Sequence, residues 1–269
     1  MTLATTALQK KFWYGATQAV CLFLVAGLLV GLSSVHVQAQ ELDQNYQRTA
    51  KRYDKYFSVG ATFQSNNDLG VQFRYARVRD AAHATIYQYN VHSLRHPQEV
   101  NYVNEIPGAS PYKFGKLNFV LVNSFSIGDQ MVIAERNAQK QVRVNWNYMA
   151  GPNITFLKPV YLQIIQPQGD SQGRFSVERY DPDIHNNQQQ NFYGTAAFTN
   201  GLNETTVEYG LQARSSLSAY WGDKDDHFYG LEVGGQLLAY PEKLEIMAND
   251  NNRALFLNLF VGIKMGWQS

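Results

Sequence analysis

The sequence predicts an all-β chain, and more narrowly an antiparallel up-and-down transmembrane β-barrel. Three observations carry this: a recurring two-residue alternation of apolar and polar side chains, no long apolar run after Gln40, and opposite charges set among small residues on the faces turned away from the apolar ones. A strand puts successive side chains on opposite sides, so period-two alternation marks a sheet with two chemically different faces. Only helices and closed barrels satisfy their backbone in lipid, and nothing after Gln40 is apolar over the length a helix needs.

The N-terminal segment reads as an address. Lys10 and Lys11 precede the apolar run Ala19–Leu32, and Val37-Gln38-Ala39 offers a small-residue cleavage site before Gln40. This is the layout of a secretory signal peptide, and the run is shorter than the about 20 apolar residues of a membrane anchor. The chain divides into a cleaved signal peptide over 1–39, an N-terminal periplasmic extension over 40–54 and an outer-membrane barrel over 55–269. Cys21 lies inside the apolar run, with that run continuing after it, which does not suit lipidation. Cleavage leaves no cysteine, so the mature chain holds itself together without disulfides.

The first clear alternation is Phe57, Val59, Ala61 and Phe63 against Ser58, Gly60 and Thr62. Leu69, Val71, Phe73 and Tyr75 follow, and Ser65–Asp68 between the two is turn chemistry, which predicts a hairpin. Next come Thr85, Tyr87, Tyr89 and Val91, then Leu117, Phe119, Leu121, Phe125 and Ile127, where Val120 and Val122 dilute the polar face. Val142, Val144, Trp146 and Tyr148 make the fifth strand, and Val207 through Trp221 the sixth. Tyr229, Leu231, Val233, Leu237 and Ala239 make the seventh. Leu255, Leu257, Leu259, Val261, Ile263, Met265 and Trp267 make the last. The tally is eight strands. It rises to ten if the apolar stretch Pro159–Ile165 adds strands to the barrel. The connections Leu94–Gly115 and Leu157–Thr205 are long and rich in Pro, Gly, Asn and Gln; no repeat or linker interrupts the barrel region.

Alternation alone leaves open which face is wet. The residues opposite the apolar faces include Arg74, Arg143, Glu208, Arg214, Glu232 and Lys264 amid Gly and Ser, the composition of a crowded polar lumen rather than of a solvated face. Aromatics collect near strand ends (Tyr56, Phe57, Trp221, Phe228, Tyr229, Tyr240, Trp267), as in girdles at two membrane interfaces. Composition agrees: of 269 residues 45% are apolar, 13% aromatic and only 17% charged, with a net charge of +1. The mean hydropathy of −0.35 excludes a helical membrane protein. The aromatic content excludes a disordered chain, and the absence of basic clusters excludes nucleic acid as a partner.

The last strand resembles the recognition signal of outer-membrane barrels, alternating apolar residues that close on an aromatic. Here Gln268-Ser269 follow the aromatic Trp267. The stretches Phe114–Asn118, Leu157–Leu162, Phe198–Glu204 and Leu257–Val261 resemble small outer-membrane β-barrel proteins of Bacteroidetes-type bacteria. The likeness covers most of the mature chain and implies a fold and a location; the family it points to has no settled activity.

Chemistry is harder to find. No G-x-S-x-G elbow occurs, and Ser93 beside His92 in a strand points to the opposite face. His83, His96, His185 and His227 stand apart in sequence from any nucleophile. His92 and His96 have helical spacing in a segment that reads as strand running into Pro97. Asp181, Asp183 and His185, and Asp223, Asp225, Asp226 and His227, read as solvated loops with too few ligands for a closed metal site. The six lumen charges are the candidate site, as a structural network or an anion-binding group. No catalytic, cofactor or metal residue is assigned. The expected function is non-enzymatic: a structural element, anchor or accessory subunit of an envelope complex. The alternatives are a lipid-modifying hydrolase, a small pore and a soluble exported binding module. Expected partners are outer-membrane lipid, the outer-membrane assembly machinery and an envelope complex met through the long loops.

Overall fold

A computed structural model describes residues 54–66, 68–136, 141–166, 174–185, 191–222, 227–248 and 252–268. The predicted signal peptide over 1–39 and, apart from Asp54, the predicted extension lie outside the described residues.

Eight antiparallel strands close into a barrel in up-and-down order. They are β1 (Lys55–Gln64), β2 (Leu69–Val78), β3 (His83–Leu94), β6 (Asn118–Arg136), β7 (Gln141–Pro159), β11 (Thr206–Gly222), β12 (His227–Ala239) and β13 (Leu255–Gln268). Each is one of the eight alternating segments of the sequence. The ring closes between the first and last strands, where Phe57 opposes Trp267 and Phe63 opposes Val261. No barrel edge is left open, so every strand finds its backbone partners within the wall.

Among the described residues, five short strands lie outside the wall. β4 (Asn101–Tyr102) pairs with β5 (Tyr112–Lys113), and β8 (Tyr161–Gln166) is the centre of a separate sheet with β9 (Arg174–Arg179) and β10 (Phe192–Thr195). The ten-strand alternative is thereby corrected. Pro159–Ile165 does form strand, but β8 leaves the wall at Val160 and pairs outside it.

The two ends of the barrel differ. β1 enters and β13 leaves at one end, where the other connections are short: 79–82, 137–140 and 223–226. At the opposite end, only the β1–β2 turn is tight; the connections 95–117, 160–205 and 240–254 are long. They fold into a cap with its own apolar core of Tyr112, Leu162, Ile164, Tyr180 and Phe192, flanked by Phe114, Leu117 and Val160.

The wall is inverted relative to a soluble barrel. Leu257 and Ile263 on β13 are 71% and 66% exposed, while Asn258 and Lys264 between and beyond them are buried. The same holds around the ring: Phe73, Tyr87, Phe125, Trp146, Leu211 and Leu231 face out, and Gln72, Gln88, Ser126, Asn147, Gln212 and Glu232 face in. An outward apolar surface of this extent is the face of a barrel built for hydrocarbon.

Candidate functional site

An eight-stranded barrel is just wide enough for side chains to fill. Here three layers fill it in series. At the short-turn end the floor is aromatic: Phe228 packs edge-on against Tyr56 (5.4 Å) and Tyr220 (5.2 Å). Glycines make this possible. A Cβ on Gly266 would lie 2.2 Å from the Phe228 ring, and one on Gly230 would lie 2.5 Å from the Tyr220 ring.

The middle layer is ionic. Glu232 on β12 is fully buried and lies at the centre of three cations. Arg74 from β2 donates through Nη2 to Glu232 Oε1 (3.0 Å), Lys264 from β13 bonds Oε2, and Arg214 from β11 approaches Oε2 at 3.6 Å. Gln72 Nε2 donates to Oε2 (3.2 Å), and the Ser216 hydroxyl donates to Oε1. The cations have partners of their own. Arg74 donates to Gln88 Oε1 (2.6 Å) and the Tyr220 hydroxyl (3.1 Å); Arg214 donates to Gln72 Oε1 (3.0 Å) and Gln236 Oε1 (3.3 Å) and stacks on Phe260 at 3.5 Å. Burial of a charge costs several kcal/mol unless neighbours satisfy it, and here amides, hydroxyls and a ring supply what one carboxylate cannot. Gln236 Nε2 also donates to His92 Nε2 (3.1 Å), which ties the histidine into the layer above.

The outer layer is an apolar plug. Leu94, Val120, Val122, Leu157, Leu238 and Phe256 point inward from the wall and meet Tyr240, Leu244, Ile246 and Met247, which the β12–β13 connection folds back over the lumen. Asn252 holds that turn by accepting from the amides of Ile246 and Met247 and donating to the Met247 carbonyl (2.8 Å). Asn118 Nδ2 reaches the Glu245 carbonyl (2.7 Å).

Of the six charges expected in the lumen, four form the cluster: Arg74, Arg214, Glu232 and Lys264. Arg143 is half-buried near the short-turn end of β7, opposite Tyr220 in register. Glu208 is exposed, a correction to its lumen placement. Its parity matches Arg214, but it lies near the start of β11, at the cap end, where alternation no longer implies enclosure. The aromatic girdle is corrected likewise. Phe57, Trp221, Tyr229 and Trp267 face outward, whereas Tyr56 and Phe228 make the lumen floor and Tyr240 joins the plug. Val120 and Val122, which blurred the alternation, are inward residues of the plug.

The histidines are dispersed. His83 pairs on the outer wall with Asp129, which also bonds Arg79 and Tyr148. His185 is buried, not solvated, and its place is structural: Nδ1 accepts from the Asp181 amide (2.9 Å), Nε2 faces Glu178 (3.3 Å) and the ring stacks on Tyr180. Asp181 Oδ1 accepts from the Asp183 amide, so that trio closes a local turn. Asp223, Asp225 and Asp226 lie outside the described residues, and among those described no group of acidic, histidine or cysteine side chains is arranged to hold a metal.

Sequence reasoning missed two buried carboxylates at the cap end. Asp68 in the β1–β2 turn accepts from the Ser93 hydroxyl (3.0 Å) and the Arg95 amide (3.0 Å) and pairs with Arg95 Nε (3.3 Å). Burial pushes its carboxyl above the ordinary value, and these partners only partly oppose that. Glu99 is clasped by Lys116 (2.8 Å) and Lys113 and accepts from the His96 amide. Burial raises its carboxyl, but Lys116 and the hydrogen bonds outweigh it, and the group is held below the ordinary range. The signal available in advance was the lysine pair Lys113 and Lys116 with Glu99 in one long connection.

No protein-family profile matches the chain, and no curated protein does. Among solved structures, the chain is similar to Ail, the attachment invasion locus protein of Yersinia pestis, solved in complex with the heparin analogue sucrose octasulfate. Identity is 8%, over 80% of this chain and 97% of that one, at a TM-score of 0.38. It is similar to Neisserial surface protein A at 6% identity, over 80% and 97%, with a TM-score of 0.36. The N-terminal β-barrel domain of Pseudomonas aeruginosa OprF follows at 7%, over 80% and 96%, with a TM-score of 0.32.

Proposed function

We propose that the chain is a non-enzymatic integral outer-membrane barrel that anchors a folded external cap, and that the cap is its contact surface toward an envelope partner. One observation carries this reading: an apolar exterior around a lumen filled by an aromatic floor, an ionic layer and an apolar plug, with the long connections gathered at one end. Loops on a rigid scaffold are where binding concentrates, and this barrel supplies a rigid scaffold with one elaborated end. The Glu232 cluster is read as structural, because every cation in it already has several protein partners. The three-layer filling of the lumen weighs against a pore, and the dispersal of the histidines weighs against a hydrolase.

The test is migration of unboiled against boiled protein from washed outer membranes. A band in that fraction whose mobility changes on boiling is expected of a closed, lipid-embedded barrel. Recovery in the soluble periplasmic fraction with no mobility change would overturn the reading. Conductance in a planar bilayer, expected to be silent, separates the anchor from the pore.

A further inference from the structure

One part of the cap faces the wall rather than away from it. Residues 196–205 leave β10 and return to β11 through two tight turns and a single 3-10 turn at Leu202–Glu204. The segment is tied down. The Ala196 amide donates to the Tyr161 carbonyl (2.9 Å), the Tyr161 hydroxyl bonds Glu204, and Arg179 pairs with Glu204 at 3.5 Å. Gly201 sits at φ 79° against the Tyr161 ring, a close approach in a left-handed conformation that a side chain does not tolerate.

This ordered loop nevertheless leaves Phe198 62% and Leu202 50% exposed. Phe198 packs edge-on against Phe119 (5.7 Å), an outward residue of β6, with Lys158 Nζ over its ring at 4.9 Å. Phe119 and Lys158 are opposed in register, so both belong to the outer wall. Beside them the same wall exposes Phe156, Val207, Tyr209 and Leu211. The apolar patch of the loop is thus continuous with the outward face of the barrel.

The height of this patch follows from β6. Asp129 is an outward polar residue of this strand, bonded to Arg79, His83 and Tyr148. Phe119 lies ten residues away on the same strand. At about 3.4 Å per residue and a tilt of about 40°, that is about 26 Å of height, against about 25 Å for the apolar band of an outer-membrane barrel. Phe119 thus lies about one band height from this polar cluster, at the cap end of the strand.

We propose, resting on the outer-membrane reading above, that the 196–205 loop is a membrane-seated foot: Phe198 and Leu202 enter the lipid at the cap-side interface and set the depth and tilt of the barrel. Lys158 is itself buried: its Nζ donates to the Pro159 carbonyl (3.1 Å) and lies over the Phe198 ring, which pins the loop to the wall. The rest of the cap is left for other contacts.

The test uses full-length chains with all four tryptophans changed to phenylalanine and one new reporter, Phe198→Trp, Leu202→Trp or Phe125→Trp, reconstituted in phosphatidylcholine vesicles. Acyl chains carry bromine either near the glycerol or near the bilayer centre. Phe125→Trp, at mid-height, is expected to lose more emission to the deep bromines. Phe198→Trp and Leu202→Trp are expected to lose more to the shallow ones, to shift to the blue and to resist aqueous iodide. Two outcomes overturn the foot while the barrel reading stands: Phe125→Trp quenched with both loop reporters open to iodide, or with both shielded from iodide and bromine alike. If no reporter is quenched by bromine, the chain is not in the bilayer and both readings fall.

Discussion

Glu232 in the lumen and Glu99 in the cap are both buried carboxylates faced by more lysines and arginines than they can neutralise, yet they are held in different ways. Glu232 receives its partners from β2, β11 and β13, strands whose positions the closed ring dictates. Glu99 receives Lys113 and Lys116 from within its own connection, and its amide donates to the His96 carbonyl three residues before it. The lumen cluster therefore couples distant parts of the wall, while the cap cluster closes one loop on itself. The same chemistry gives a global constraint in one place and a local one in the other.

The largest expected effect comes from Glu232→Gln, which leaves Arg74, Arg214 and Lys264 buried without a counter-charge. Breaking a buried pair costs about 3–5 kcal/mol. The heat-modifiable band should shrink sharply on refolding, and adding Lys264→Met should recover part of it. A single variant that refolds like the parent would show that the lumen charges do not constrain the wall.

Next is Ile246→Ala in the plug, where a cavity in a packed apolar layer costs about 2–5 kcal/mol. Protease should then cut the 240–254 connection faster, while boiling-dependent migration persists because the ionic layer and floor still fill the barrel. Loss of that migration would mean that the plug, and not the charge layer, holds the ring.

A smaller effect is expected for Glu99→Gln, about 1–3 kcal/mol for a buried group deprived of its partner and confined to the cap. Proteolysis within 95–117 should accelerate with the thermal transition of the barrel unmoved. A shift in that transition would erase the contrast between local and global clusters.

The smallest and most discriminating effect is pH. The Glu99 carboxyl is depressed in the folded state, so its contribution is complete above the ordinary glutamate value of about 4.3 and is lost as pH falls through the depressed one. The Asp68 carboxyl is raised, so the fold binds its proton more tightly and gains stability as pH falls through the raised value toward about 3.9. Amide exchange, corrected for its intrinsic pH dependence, should quicken in 95–117 and slow at the β1–β2 turn over the same acidification. Parallel changes in both segments would contradict the opposite signs.

The strands were legible because each long alternating segment, such as Leu255–Trp267, sees the same two environments along its whole length. The candidate site was legible only in part. Arg74, Arg214, Glu232 and Lys264 share the inward parity of their strands, but so does Glu208, and parity carries no information about height. Tyr56, Phe228 and Tyr240 sit at strand ends like girdle residues, yet they turn inward because the floor and the plug need large rings that neighbouring glycines make room for.

What the sequence determined by itself is the set of eight strands and the two faces of each, because side-chain period is local and a wrong register would put charges into the apolar face. What only the tertiary structure decided is how those faces are stacked into layers: which inward residues meet at Glu232, that Pro159–Ile165 leaves the wall for the cap, and that the 240–254 connection folds back into the lumen. Those outcomes depend on strand stagger and loop return, which bring together residues more than a hundred positions apart, such as Arg74 and Glu232. No local pattern encodes that distance; closure of the ring does.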